Sequence, residues 1–198
     1  MELLLPFLVL VLAAVLQALP DDAGRAGREV LMQFVLGALL VTLAAPAVLY
    51  GGEITLTGPR LAYAAFQLEF TPSLYLDARN GLLILMLGIV FPLVYALLLP
   101  TFRGQSRSFY LSGHLMSFGL LGAFLADSLL VFYAFFEVSL IGSYFWIGLH
   151  SSTEKGGDRE VSPGALTRFL LFTLLGSLAM LVSIAAVIIS LGLLVDNG

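Results

Sequence analysis

The sequence predicts an all-α integral membrane protein, and three observations carry that expectation. Mean hydropathy is +1.02, with 60% hydrophobic and only 11% charged residues in a chain of 198. A soluble domain of this size has too little interior to hold so much apolar surface. The apolar residues also fall into stretches of about twenty, the length that crosses a hydrocarbon core of roughly 30 Å. Six transmembrane helices are expected, near 3–19, 30–50, 81–99, 110–126, 129–149 and 166–191, within one membrane domain spanning 1–198.

The first stretch opens Met1-Glu2-Leu3-Leu4-Leu5 and lacks the positive n-region of a secretory signal peptide, so it is read as a retained span. The second ends at Gly51-Gly52. Beyond it, Glu53-Ile54-Thr55-Leu56-Thr57 alternates polar and apolar residues before the turn pair Gly58-Pro59, which predicts a short external β-hairpin between helices two and three. Its return strand is expected within 61–68, with residues 67–70 free to pair elsewhere. Such a hairpin more often braces neighbours than binds a substrate. Asp127-Ser128 interrupts what would otherwise be one apolar run from 110 to 149. Forty helical residues would be roughly 60 Å long, about twice the bilayer core, so this pair must mark a tight turn between two antiparallel spans.

An even number of spans places both termini on one side. The linkers after spans one, three and five carry Arg25, Arg28, Arg103, Arg107, Lys155, Arg159 and Arg168, against Arg60 and Arg79 on the other side. Basic residues favour the cytoplasmic face, so both termini are expected on the periplasmic side of a bacterial inner membrane. The absence of Cys excludes disulfides, thiolate metal sites and cysteine nucleophiles, and two histidines make a His-rich metal site a poor expectation. No Gly-rich phosphate loop and no basic cluster occur. No cofactor, no metal and no nucleic-acid partner are expected, and the surrounding lipid bilayer is.

Glu137 is the residue that bears on function. Eight uncharged residues precede it and twelve follow it within the stretch 129–149. A carboxylate that deep costs several kcal/mol, about 2.5–3.5 on insertion scales, so it usually faces a partner or a water path. The alternative is a structural carboxylate hydrogen-bonded inside a bundle. Tyr133 at i−4 and Tyr144 at i+7 share its helix face and could hydrogen-bond water beside it.

The run Phe124-Leu125-Ala126-Asp127-Ser128-Leu129-Leu130-Val131-Phe132-Tyr133-Ala134-Phe135-Phe136-Glu137, followed by Ile141-Gly142-Ser143-Tyr144-Phe145-Trp146-Ile147-Gly148-Leu149, resembles the fourth-to-fifth helix region of the antiporter-like membrane subunits of complex I, of the M type. Arg168-Phe169-Leu170-Leu171-Phe172-Thr173-Leu174-Leu175-Gly176-Ser177 is similar to that family's sixth helix, and Asn80-Gly81-Leu82-Leu83 stands where the family opens its third with Asp-Gly-Leu-Ser. The resemblance extends to Mrp-type antiporters. It implies that Glu137 is the fifth-helix glutamate of such a unit, and that a lysine on a seventh helix faces it. Six helices would then be the front part of a split subunit, with another membrane chain supplying the later helices and that lysine. A lysine moving toward or away from a carboxylate in low dielectric switches its proton affinity, and the change can pass along hydrated titratable groups.

The other positions have plainer readings. His114 could shuttle protons, imidazole being the side chain that titrates near neutral pH, but local capping or hydrogen bonding is the favoured reading. Arg168 is explained by charge bias alone, with a role near proton uptake as the family-based alternative. Asp127 reads as a turn residue or cap, and Asn80 has no charge-dependent role. Gly142, Gly148 and Gly176, with Ser143 and Ser177, read as close-packing positions. Tyr50, Phe70, Tyr75 and Tyr110 read as interface anchors, and 151–163 as a flexible solvated loop. The expected function is proton or sodium translocation within a complex I-related respiratory assembly, with no active site and no quinone bound by this chain itself. Other readings are a non-conducting scaffold, a subunit of an Mrp-type antiporter or energy-converting hydrogenase, and a stand-alone oligomeric carrier.

Overall fold

The computed structural model describes residues 2–17, 25–57, 61–63, 68–70, 73–98, 100, 105–153 and 163–196. After a 3-10 turn at Glu2–Leu4, the described helices are α1 (Leu5–Gln17), α2 (Arg25–Tyr50), α3 (Ala78–Leu97), α4 (Arg107–Leu125), α5 (Leu129–Thr153) and α6 (Pro163–Asp196). Five of them, α2 to α6, are long and apolar enough to cross a membrane. The first helical stretch, Glu2–Gln17, is shorter. At 1.5 Å per residue it reaches about 24 Å, under the hydrocarbon thickness, and residues 18 and 19 of the expected span lie outside the described residues.

Helix ends overrun the apolar stretches because backbone hydrogen bonding continues until a capping residue interrupts it. Asp77 caps α3, its carboxylate accepting from the backbone N–H groups of Arg79 and Asn80 at 2.8 and 2.9 Å. Asn80 returns the favour through Oδ1, which accepts from the Asp77 N–H at 2.8 Å, and its Nδ2 donates to the Tyr75 carbonyl at 2.6 Å. The two residues form a reciprocal capping box, so the Asn found where an acid was expected has a structural task. Ser106 caps α4 through the Phe109 N–H, and Ser128 accepts from the Val131 N–H at the start of α5. Gly51, at φ 71°, ends α2 in the left-handed region that favours glycine, its N–H donating to Ala47.

The segment between α2 and α3 pairs differently from the expected hairpin. Strand β1 (Ile54–Thr57) runs antiparallel to β4 (Ser73–Leu76), and β2 (Leu61–Tyr63) to β3 (Leu68–Phe70). The return strand of β1 is therefore 73–76 and not 61–68; alternation identified the strand but could not choose between two apolar partners. Gly58-Pro59 lies outside the described residues. The Tyr75 phenol donates to Glu53, and this bond holds its titration above the ordinary tyrosine range. Ser73 donates to the Asp127 carboxylate at 2.7 Å, while the Asp127 N–H donates to the Ser73 carbonyl at 3.2 Å. Asp127 thus ties the α4–α5 turn to β4.

Two apolar clusters join the first four helices. One holds Leu3, Phe7, Leu10, Leu36, Leu40, Ala44, Leu76, Ile84, Leu87, Leu121 and Leu125. The other joins Ala26, Tyr95, Phe109 and Tyr110, with Trp146 packed against them. Tyr110 is 1% exposed, so it is a core residue and not the interface anchor the sequence suggested. Proximity to a predicted helix end could not show which way the ring turns. Close approach of backbones at glycine holds the helix pairs. A Cβ at Gly37 would strike the Gly88 carbonyl, closing α2 onto α3, and one at Gly119 would strike Phe135 and Ser139 backbone, closing α4 onto α5. Gly142 meets the Met116 backbone in the same way, and Gly148 lies near Leu166, whereas Gly176 has nothing within 4 Å. Gly176 is therefore not a packing position among the described residues.

Candidate functional site

Helix α5 carries two stripes. Phe135, Ser139, Gly142 and Trp146 recur at helical spacing and face α4, as the contacts of Gly119, Gly122, Gly142 and Gly113 show. Glu137 lies two residues from both Phe135 and Ser139. At about 100° per residue that sets it roughly 160° around the helix from the α4 seam. The deep carboxylate thus belongs to the opposite stripe, with Tyr133 and Tyr144.

On that stripe the Tyr133 phenol interacts with both the Glu137 carboxylate and the Ser177 hydroxyl, which places Glu137 beside the contact of α5 with α6. Ser177 is 4% exposed and its hydroxyl donates to the Leu174 carbonyl at 3.1 Å. Glu137 is half-buried, and its Oε1 is shielded from solvent without a hydrogen-bond partner among the described residues. A carboxylate oxygen in that state retains full capacity to accept from a donor outside the chain. Tyr144 stands two turns farther along, about 10 Å by helix rise, and makes an edge-on contact with Phe145. Arg168 is exposed and lies about 13 Å by helix rise from Ser177. The structure therefore brings Tyr133 to Glu137 through a contact and does not bring Arg168 there.

His114 is elsewhere. It is 4% exposed on α4, and its Nε2 lies 2.9 Å from Oε2 of Glu29 on α2. Glu29 itself is fully buried. Its Oε2 accepts from Gln17 Nε2 at 2.7 Å and its Oε1 from Gln33 Nε2 at 2.9 Å. The favoured reading of His114, a local hydrogen-bonding residue, did not anticipate this second buried carboxylate. Glu29 was overlooked because it lies at a helix start among arginines, where charges are ordinarily solvated. Gln17 inside an apolar helix, and Gln33 one turn after Glu29, were the available signals.

The face of α6 away from α5 is open. Only 11% of its apolar span is buried, against 61% for α4, and Leu171, Phe172, Leu175, Val182 and Ile189 are exposed. Helices of this composition, with a tightly joined front group and an open final helix, define a polytopic helical membrane protein. Within that class the chain is similar to the antiporter-like membrane subunits of NADH–quinone oxidoreductase. It is 46% identical over 65 residues to NADH-quinone oxidoreductase subunit 13 of Thermus thermophilus, covering 33% of this chain and 12% of that one. It is 33% identical over 82 residues to NADH-quinone oxidoreductase subunit M of Buchnera aphidicola, covering 41% and 16%. It is also 33% identical over 116 residues to the chloroplastic NAD(P)H-quinone oxidoreductase chain 4 of Chaetosphaeridium globosum, covering 59% and 21%. The chain thus spans less than a quarter of the length of these relatives. No family model matches it.

Proposed function

We propose that this chain forms the front six helices of an antiporter-like unit in a complex I-related assembly of a bacterial inner membrane, and that Glu137 carries the translocated proton or sodium ion. One observation supports this above the others: Glu137 projects from the stripe of α5 that α4 leaves free, with one oxygen buried and unpartnered. Buried carboxylate oxygens are ordinarily hydrogen-bonded. This one is oriented toward the side on which later helices of such a unit, whichever polypeptide carries them, would supply an ammonium. Tyr133 and Ser177 extend the polar surface around it. The chain is proposed to contact other membrane subunits and lipid, and electron transfer to belong to those partners. Replacing Glu137 by Gln tests the reading, because a scaffold would keep translocation and a carrier would lose it.

The orientation is proposed from the arginine bias, with both termini and the 51–80 segment outside. The chain lacks Cys, so single substitutions report sidedness cleanly. Thr55→Cys, on exposed β1, is expected to react with a membrane-impermeant maleimide in spheroplasts. Ser108→Cys, exposed in the first turn of α4, is expected to react only after lysis. The reverse pattern overturns the orientation.

A further inference from the structure

The Glu29–His114 cluster lies on the other side of α5 from Glu137, among α1, α2 and α4. We propose that Glu29 and His114 form a second proton-binding site of this chain, holding one exchangeable proton between a carboxylate and an imidazole inside the bundle.

Three features support a titrating site over a structural clamp. Glu29 is 0% exposed, and a carboxylate removed from water needs a compensating charge or proton. Its hydrogen-bond donors, Gln17 and Gln33, are neutral amides. The imidazole Nε2 lies 2.9 Å from Oε2, within the distance over which two such atoms share a proton once they align. Moving that proton from Nε2 to Oε2 breaks an N–H bond and forms an O–H bond, converting an imidazolium–carboxylate pair into a neutral one with no change in total charge.

The cluster also has unused polar capacity. Nδ1 of His114 and Oε1 of both Gln17 and Gln33 are buried without hydrogen-bond partners among the described residues. A clamp selected only for stability would saturate such atoms. Space adjoins two of these three side chains. Gln33 and Ser117 line a cavity of about 10 Å³, the size of a single water. A groove of about 170 Å³ between α1 and α4 is bordered by His114, Leu111, Leu115 and Leu10. Open space thus lies beside both the imidazole and the Gln33 amide.

Among the described residues, the neighbouring charged and polar groups come from several elements. From α2, Arg28 immediately precedes Glu29. From α3, the Tyr95 phenol is coupled electrostatically to Glu29 and to Tyr110 of α4. From α5, Trp146 stacks on Tyr95 at a ring distance of 6.3 Å, and α1 supplies Gln17.

The proton-binding claim stands without Glu137; only the step from binding to translocation rests on the function proposed above. The test is infrared difference spectroscopy of the full assembly in proteoliposomes, stepped between about pH 5 and about pH 8. The parent is compared with Glu29→Gln, His114→Gln and Glu137→Gln. A carboxyl and imidazole band change is expected that vanishes in both Glu29→Gln and His114→Gln and persists in Glu137→Gln. Spectra of Glu29→Gln and His114→Gln that superimpose on the parent overturn the proposal and leave a structural clamp. If Glu29→Gln does not assemble, His114→Gln, which leaves the carboxylate and both amides in place, decides alone by the same criterion. Intact pumping in Glu137→Gln would instead sink the function proposed for Glu137, without touching the infrared result.

Discussion

Glu137→Gln is expected to lower ion translocation at least about tenfold while leaving the assembled complex at parental levels. The substitution keeps the side chain's size and removes its exchangeable proton. Its effect on packing should be small because Glu137 stands outside the stripe of α5 that locks onto α4. The measurement is the pH gradient formed per quinone reduced in inverted membrane vesicles, alongside the amount of complex recovered. Loss of the gradient with assembly intact is the carrier's result. Retention of both is the scaffold's result and would remove Glu137 from the mechanism.

The second large effect concerns stability. Gly119→Leu is expected to destabilise the α4–α5 pair by about 1–3 kcal/mol, at the upper end of that range, because overpacking against backbone cannot be relieved by a rotamer change. A side chain at 119 meets the Ser139 N–H and the Phe135 carbonyl, both fixed in α5. The helices must part, and with them the turn that Asp127 ties to β4. Gly176→Leu is the control, since nothing lies within 4 Å of a Cβ there. Thermal unfolding in mild detergent should show a much lower midpoint for the first variant and little change for the second. Equal midpoints would contradict the close backbone approach seen at Gly119.

Much of this architecture is legible in the sequence, because bilayer thickness imposes a length on apolar runs. The boundary at Asp127-Ser128 and the continuity of α5 through Glu137 follow from that constraint, whereas α6 (Pro163–Asp196) overruns its expected span at both ends. The first helix is different: Glu2–Gln17 is apolar between its ends but short of a full span. The strand pairing was misread because 61–68 and 73–76 offer β1 similar apolar partners. Tyr110 shows the same limit, since a sequence gives a residue's height along a helix more readily than its azimuth.

The site was half legible for a related reason. An acid in the middle of an apolar run is conspicuous, and periodicity puts Tyr133 on its face, where the phenol contacts the carboxylate. Glu29 is hidden by position: four residues into α2, beside Arg25 and Arg28, it looks like any solvated helix start. Only the folding of α1 and α4 over it, through Gln17 and His114, takes it out of water. No single-helix pattern encodes that burial.

The central claim is that Glu137 is completed by a cation from helices outside these six. A density map of the intact assembly tests it most directly, through the surroundings of the Glu137 Oε1 atom. The account predicts a lysine ammonium within about 4–6 Å, or joined to the carboxylate through ordered water. Acyl-chain density against that oxygen, with no ammonium and no water, would contradict it.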